Sequence, residues 1–346
     1  LPVLIGSLPL QDHQEAAELV FKYTPQIPLW VQLPAFKQEG MISQFAPGMP
    51  GLTNGDRSFI DTSSSSFEKE LLRFYETYME VNENAALLED SIFAMSPETA
   101  PGFFTLMESL SKTNENQVAV KGQITGPFTF GTSLKDENGK SIFYNDQTRD
   151  ALVKLLAMKA RWQAHQLAKS GKPAIIFLDE PGLTAFGSSA FISISRDEVF
   201  QCFEEVFDAV HSEGGLAGVH VCANADWSLI LDSSADIVSF DAYTYFDTFI
   251  LYANQIRNFI EAGKILAWGI VPTLSTSAIE EETVPSLLDK WEKKAGKIEN
   301  LGIDRATLLS QSLITPSCGT GSLSLDYAIK VLSLTTQLSE QIRSRA

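Results

Sequence analysis

Residues 174–222 read AIIFLDEPGLTAFGSSAFISISRDEVFQCFEEVFDAVHSEGGLAGVHVC. The stretch opens on an apolar run, 174–179, and closes on a second, 216–222, with an amphipathic helical pattern over 196–213 between them. Two near-continuous apolar strands joined through a helix make a βαβ unit, and such strands belong to a parallel sheet covered on both faces. The same alternation continues in both directions. Further strands are expected at 3–8, 27–33, 117–123, 236–241, 265–271 and 312–317, and further helices at 12–23, 67–81, 148–170, 248–262, 277–295 and 324–342. Eight strands alternating with helices predict an α/β fold, a (β/α)8 TIM barrel with its active site at the C-terminal ends of the strands; an open doubly wound sheet is the alternative. No linker separates two cores, so residues 1–346 are expected to form a single domain. The segments 34–66 and 131–147 are long for loops and are expected to cover the active site.

Composition narrows the function. A net charge of −17 disfavours contact with phosphate backbones and with anionic membrane surfaces, so neither a nucleic-acid nor a membrane partner is expected. No apolar run approaches the roughly 18–20 residues that cross a bilayer. The opening LPVLIGSLPLQ (1–11) has neither the basic stretch nor the long apolar core of a signal peptide. Only three cysteines, Cys202, Cys222 and Cys318, are present, too few for a disulfide framework, and a reducing cytoplasm is expected. There is no phosphate-binding G-x-x-x-x-G-K-[ST], no H-E-x-x-H and no G-x-G-x-x-G after a strand, so phosphoryl and hydride transfer have no support.

The expected strand ends carry chemically capable groups: Gly6-Ser7, Gln32, Gln123 to Thr125, Asp179-Glu180, His220 and Cys222, Asp241, and Ser317-Cys318. His220 and Cys222 are two apart, so on a strand they face the same side and can grip one ion together. Cys318 stands at another expected strand end. Two soft thiolates with one imidazole select zinc, and three protein ligands leave a displaceable fourth position of the catalytic kind. Asp241 is the oxygen candidate beside them. Cys202 falls in a helical pattern and reads as packing, and His13, His165 and His211, also on helices, read as surface or capping residues. A lone H-x-C is more often chance than a metal site, and it is the third ligand at a strand end that lifts this one.

Four ordered blocks add a resemblance. Ile5-Gly6-Ser7-Leu8-Pro9, Ile124-Thr125-Gly126-Pro127, Leu178-Asp179-Glu180-Pro181, and His220-Val221-Cys222 with distant Cys318-Gly319 resemble the motifs of the catalytic, C-terminal half of cobalamin-independent methionine synthase, within the wider uroporphyrinogen decarboxylase superfamily. The resemblance implies a barrel with one zinc on His220, Cys222 and Cys318, with Asp241 in place of the family's glutamate ligand. It implies a substrate carboxylate on Ile5, Gly6 and Ser7 and a substrate amine on Asp179, the contacts of an amino acid, in that family homocysteine. The catalytic pair expected from it is Asp179 and Asp241. The family's D-x-H-S block is replaced by Gly269-Ile270-Val271-Pro272-Thr273-Leu274, without a histidine, and no counterpart of the folate-associated half is read. The expected enzyme is a zinc-dependent thiol S-methyltransferase making methionine from homocysteine, its donor a methylcorrinoid, free or on a corrinoid protein, rather than methyl-tetrahydrofolate. The alternatives are a methylcorrinoid:coenzyme M-type methyltransferase, a uroporphyrinogen-decarboxylase-like protein of other function, and a non-catalytic accessory protein.

Overall fold

A computed structural model describes residues 1–53, 55, 58–112 and 116–345. Two short strands, β1 (Leu52–Thr53) and β2 (Phe59–Ile60), pair antiparallel. The main sheet has six parallel strands in sequence order: β3 (Val120–Thr125), β4 (Ala174–Asp179), β5 (Leu216–Val221), β6 (Ile237–Phe240), β7 (Ile265–Val271) and β8 (Ser312–Pro316). Every residue of β3, β6 and β8 is buried, as strands covered on both faces must be. Helices follow the strands, among them Asp146–Ala168, Arg196–His211, Val284–Glu299 and Leu325–Arg343. The expected helix at 277–295 divides into Thr276–Glu281 and Val284–Glu299, because Thr283 caps the second and Pro285 stands in its first turn. No helix among the described residues is long and apolar enough to cross a membrane.

The expected closed barrel of eight strands is corrected: the sheet is a half-barrel of six. The segments 3–8 and 27–33 are not regular strands. They make isolated parallel bridges, Pro2 to Ile314, Ser7 to Gln32 and Leu29 to Lys121. Proline has no N–H to donate to a ladder, and Pro2, Pro9, Pro28 and Pro34 stand in or beside these two segments. The segments lie along the outer strands, with the Val3 amide bonded to the Ile314 carbonyl and the Lys121 amide to the Pro28 carbonyl, without continuous ladders.

Alternation along the strands sorts the core. Val3, Ile27, Ala119, Ile175, Phe177, Ile237, Ala267 and Leu313 form one apolar cluster on the concave face, while Ile176, Leu178, Val219, Val238 and Trp268 belong to the larger cluster packed under the helices. Residues further along the concave face, toward the C-terminal ends, are polar: Thr125, Asp179, His220, Asp241 and Thr315. The two long segments meet near this end. The Ile60 amide donates to the Lys135 carbonyl at 2.9 Å, and the Thr62 amide to Glu137 at 2.9 Å. The Thr125 hydroxyl donates to the Met41 carbonyl at 2.7 Å, which ties the first segment to the end of β3.

Candidate metal centre

His220 is the fifth residue of β5, Cys222 follows directly after the strand, and Cys318 stands two residues past β8. One ligand atom from each of the three lies within 4.8 Å of the others. The His220 ring is buried, 3% exposed. Its Nδ1 is 3.0 Å from the Ser239 hydroxyl on β6, and its Nε2 has no hydrogen-bond partner. An imidazole held through one nitrogen and free at the other is the arrangement of a metal ligand, whose second nitrogen is ordinarily fixed by a neighbour. Cys318 and His220 beside it draw the Cys222 thiol well below its usual range. Cys318 is held far up, first by its bond to Cys222 and then by burial. Two cysteine sulfurs and an imidazole nitrogen together make a donor set that can hold a metal ion.

Asp241 follows β6 and lies outside that close group of three. Its Oδ1 accepts from the Thr244 amide at 2.8 Å, and its buried Oδ2 has no partner. Burial raises its carboxyl above the usual range. Asp179 ends β4 directly beside His220 in the strand register. Its Oδ1 is buried without a partner, and burial pushes the group up to about 6 against the opposing charges of His220 and Lys121. Thr315 on β8 is also buried with its hydroxyl unpartnered. Thus Asp179 Oδ1 and His220 Nε2 lie side by side in the register, with Asp241 Oδ2 and Thr315 Oγ1 two residues further toward the C-terminal end of the same face, all four without a hydrogen-bond partner among the described residues. Each such atom costs about 1–3 kcal/mol when left dry, so four of them at one end of one face mark a ligand site.

The segment 5–7 borders this end of the sheet. The Ser7 carbonyl accepts from the Thr320 amide at 3.1 Å, and its hydroxyl from the Gly321 amide at 3.2 Å. A Cβ on Gly319 would stand 2.3 Å from the Ser7 Oγ, so glycine after Cys318 lets the two segments touch. Gly6 packs against the side-chain amides of Gln123 and Gln32. Ser7 thus stands against the segment that follows Cys318, at the end of the sheet that carries Asp179, His220 and Cys222, although 3–8 is not a regular strand.

Other expected roles resolve simply. Cys202 is buried in the helix Arg196–His211, and burial pushes its thiol up to about 12, an inert packing residue. His165 and His211 pair with the partly exposed Glu213 and Asp236, and His13 pairs with the buried Glu39. Glu180, beside Asp179, is structural. Its carboxylate accepts from the Phe128 and Thr129 amides at 2.9 and 2.8 Å and from the Thr129 hydroxyl at 2.6 Å, at the start of the helix Pro127–Ser133. Two residues were not anticipated. Ser239 orients His220, and Lys121 lies fully buried on the concave face, held down to about 8 by burial against the charge of Asp179. The strand register is what reveals them, with Ser239 beside His220 and Lys121 beside Ile175.

No protein-family model matches the chain, and no curated protein matches it.

Proposed function

We propose that the chain is a zinc-dependent S-methyltransferase that transfers a methyl group from a methylcorrinoid, free or carried by a corrinoid protein, to a thiol, with homocysteine the acceptor and methionine the product. One observation carries the reading: His220, Cys222 and Cys318 present their ligand atoms within 4.8 Å of one another, beside an unpartnered buried carboxylate oxygen. Two thiolates and an imidazole suit zinc better than a hard cation. Zinc bound there supplies the Lewis acidity that keeps a coordinated thiol deprotonated near neutral pH.

The chain's own groups do the rest. Ser239 fixes the tautomer of His220, leaving Nε2 as the ligand atom. Asp241, with a free Oδ2, is the oxygen candidate for a further ligand. Asp179 Oδ1 accepts the substrate ammonium, and the 5–7 segment takes the carboxylate through its backbone and the Ser7 hydroxyl. The thiolate sulfur then forms its bond to the methyl carbon while the bond from methyl to donor breaks, and that electron pair leaves with the donor. Held in line, the two reactants gain several kcal/mol from positioning alone. A reducing compartment such as the cytoplasm keeps Cys222 and Cys318 free for the metal.

Metal analysis of the purified chain under reducing conditions should give roughly one zinc per chain, lost in Cys222→Ser and Cys318→Ser. Methylcobalamin should methylate homocysteine faster than coenzyme M, and methyl-tetrahydrofolate should not serve. A wild type without zinc, or one that transfers to neither thiol, overturns the reading. Transfer to coenzyme M alone replaces the amino-acid thiol with a sulfonate thiol.

A further inference from the structure

We propose that Lys121 is a positioning residue that makes the acceptor site selective for thiols bearing an amino-acid end. The inference rests on the function proposed above. Lys121 is the second residue of β3, 0% exposed, on the concave face. Its Nζ donates to the Ile5 carbonyl, stands 3.4 Å from the Gln123 Oε1 and lies 4.5 Å from the centre of the Phe177 ring. A buried ammonium is expensive, and a chain keeps one where its charge and donors have a task.

The task follows from the half-barrel. The segment 1–8 has no ladder to hold it. Pro2 bridges Ile314 at one end, and at the other Ser7 bridges Gln32, with the Gln32 amide on the Gly6 carbonyl. Between these points the Ile5 carbonyl is held by the lysine reaching across from β3. Ile5 begins the stretch that takes the substrate carboxylate. The same ammonium is the cation acting on Asp179 from β3, the residue that takes the substrate amine. Lys121 thus supports both halves of the amino-acid clamp, Ile5 by a hydrogen bond and Asp179 by its charge, and is not one of the three metal-ligand candidates. Removing it should loosen the clamp and leave methyl transfer itself intact.

The test compares wild type, Lys121→Met and Lys121→Gln, all zinc-loaded, with homocysteine and with 2-mercaptoethanol, which has a thiol but no amino-acid end. In the variants KM for homocysteine should rise about tenfold or more with kcat within about twofold, while kcat/KM for 2-mercaptoethanol stays within about twofold. Calorimetric titration of homocysteine into the zinc-loaded variants should show the same loss of affinity without turnover. Zinc content should not change. A wild type active on homocysteine whose variants keep its KM overturns the role of Lys121 and leaves the methyltransferase reading standing. Equal losses on both thiols, or two variants that fail to fold, make Lys121 a residue of the fold and overturn the proposal. A wild type inactive with either thiol removes the reading beneath it.

Discussion

At the scale of single residues, the metal candidate depends on what His220 does with its second nitrogen. Ser239 Oγ, 3.0 Å from Nδ1, decides which nitrogen faces the cysteines. Ser239→Ala should therefore keep the three ligands and weaken metal binding about 10–100-fold, read by competition with a chromophoric chelator. An unchanged affinity would leave the serine without this role. The pair His220 and Cys222 was legible in the sequence because residues two apart on a strand share a face, and Cys318 because it closed another strand pattern. Ser239 and Lys121 were not legible. A serine in a strand pattern carries no mark of its neighbour across the sheet, and a lysine inside 117–123 resembles an outward position until the register with Ile175 puts it on the concave face. The unpartnered oxygens of Asp179, Asp241 and Thr315 are likewise visible only once every nearby donor has been placed.

At the scale of elements, six strands were read where the structure has strands, and their order is the order of the chain. The two that failed, 3–8 and 27–33, were judged by their apolar content, which is real: Val3, Leu4, Leu8, Leu29, Val31 and Leu33 are buried. Burial alone does not make a ladder, and the prolines in and beside these segments withhold the donors one requires. The blocks at 124–127 and 178–181 were read as separate strand ends, whereas the structure joins them. Glu180 at the end of β4 satisfies two amides at the start of the helix after β3. That helix start comes so close that a Cβ on Gly126 would stand 2.2 Å from the Glu180 Oε1 and 2.4 Å from its Cγ. Gly126→Ala should displace the whole carboxylate and strip its hydrogen bonds, costing about 2–4 kcal/mol in urea unfolding. Since Glu180 adjoins Asp179, the same variant should weaken homocysteine binding. A variant as stable as wild type would mean that the carboxylate relaxes without losing its donors.

For the molecule as a whole, the net charge is −17, and the buried charged groups are of both signs, Glu39, Glu180, Asp241 and Glu282 beside two lysines. Two lysines, Lys121 on the sheet and Lys159 on the helix Asp146–Ala168, are 0% and 2% exposed, and burial lowers each from 10.5 to about 8. The direction of the pH effect follows. Between about pH 8 and pH 10.5 the unfolded chain keeps these two protons while the folded chain has released them, so unfolding takes up protons and stability rises with pH from this pair. Below pH 8 both states are protonated, and the folded state bears the full cost of the buried charges. The contribution of either lysine to the slope is at most about 1.4 kcal/mol per pH unit. Lys159→Met is the cleaner probe, because Lys159 lies on a helix away from the metal candidate. It should raise stability at pH 7, and between pH 8 and 10 it should lower the slope of unfolding free energy by up to one proton, measured by urea titration at a series of pH values. The metal content should stay as in wild type. If the variant is less stable at pH 7 and its slope is unchanged, the Lys159 ammonium is held by partners in the folded chain and is not penalised by burial.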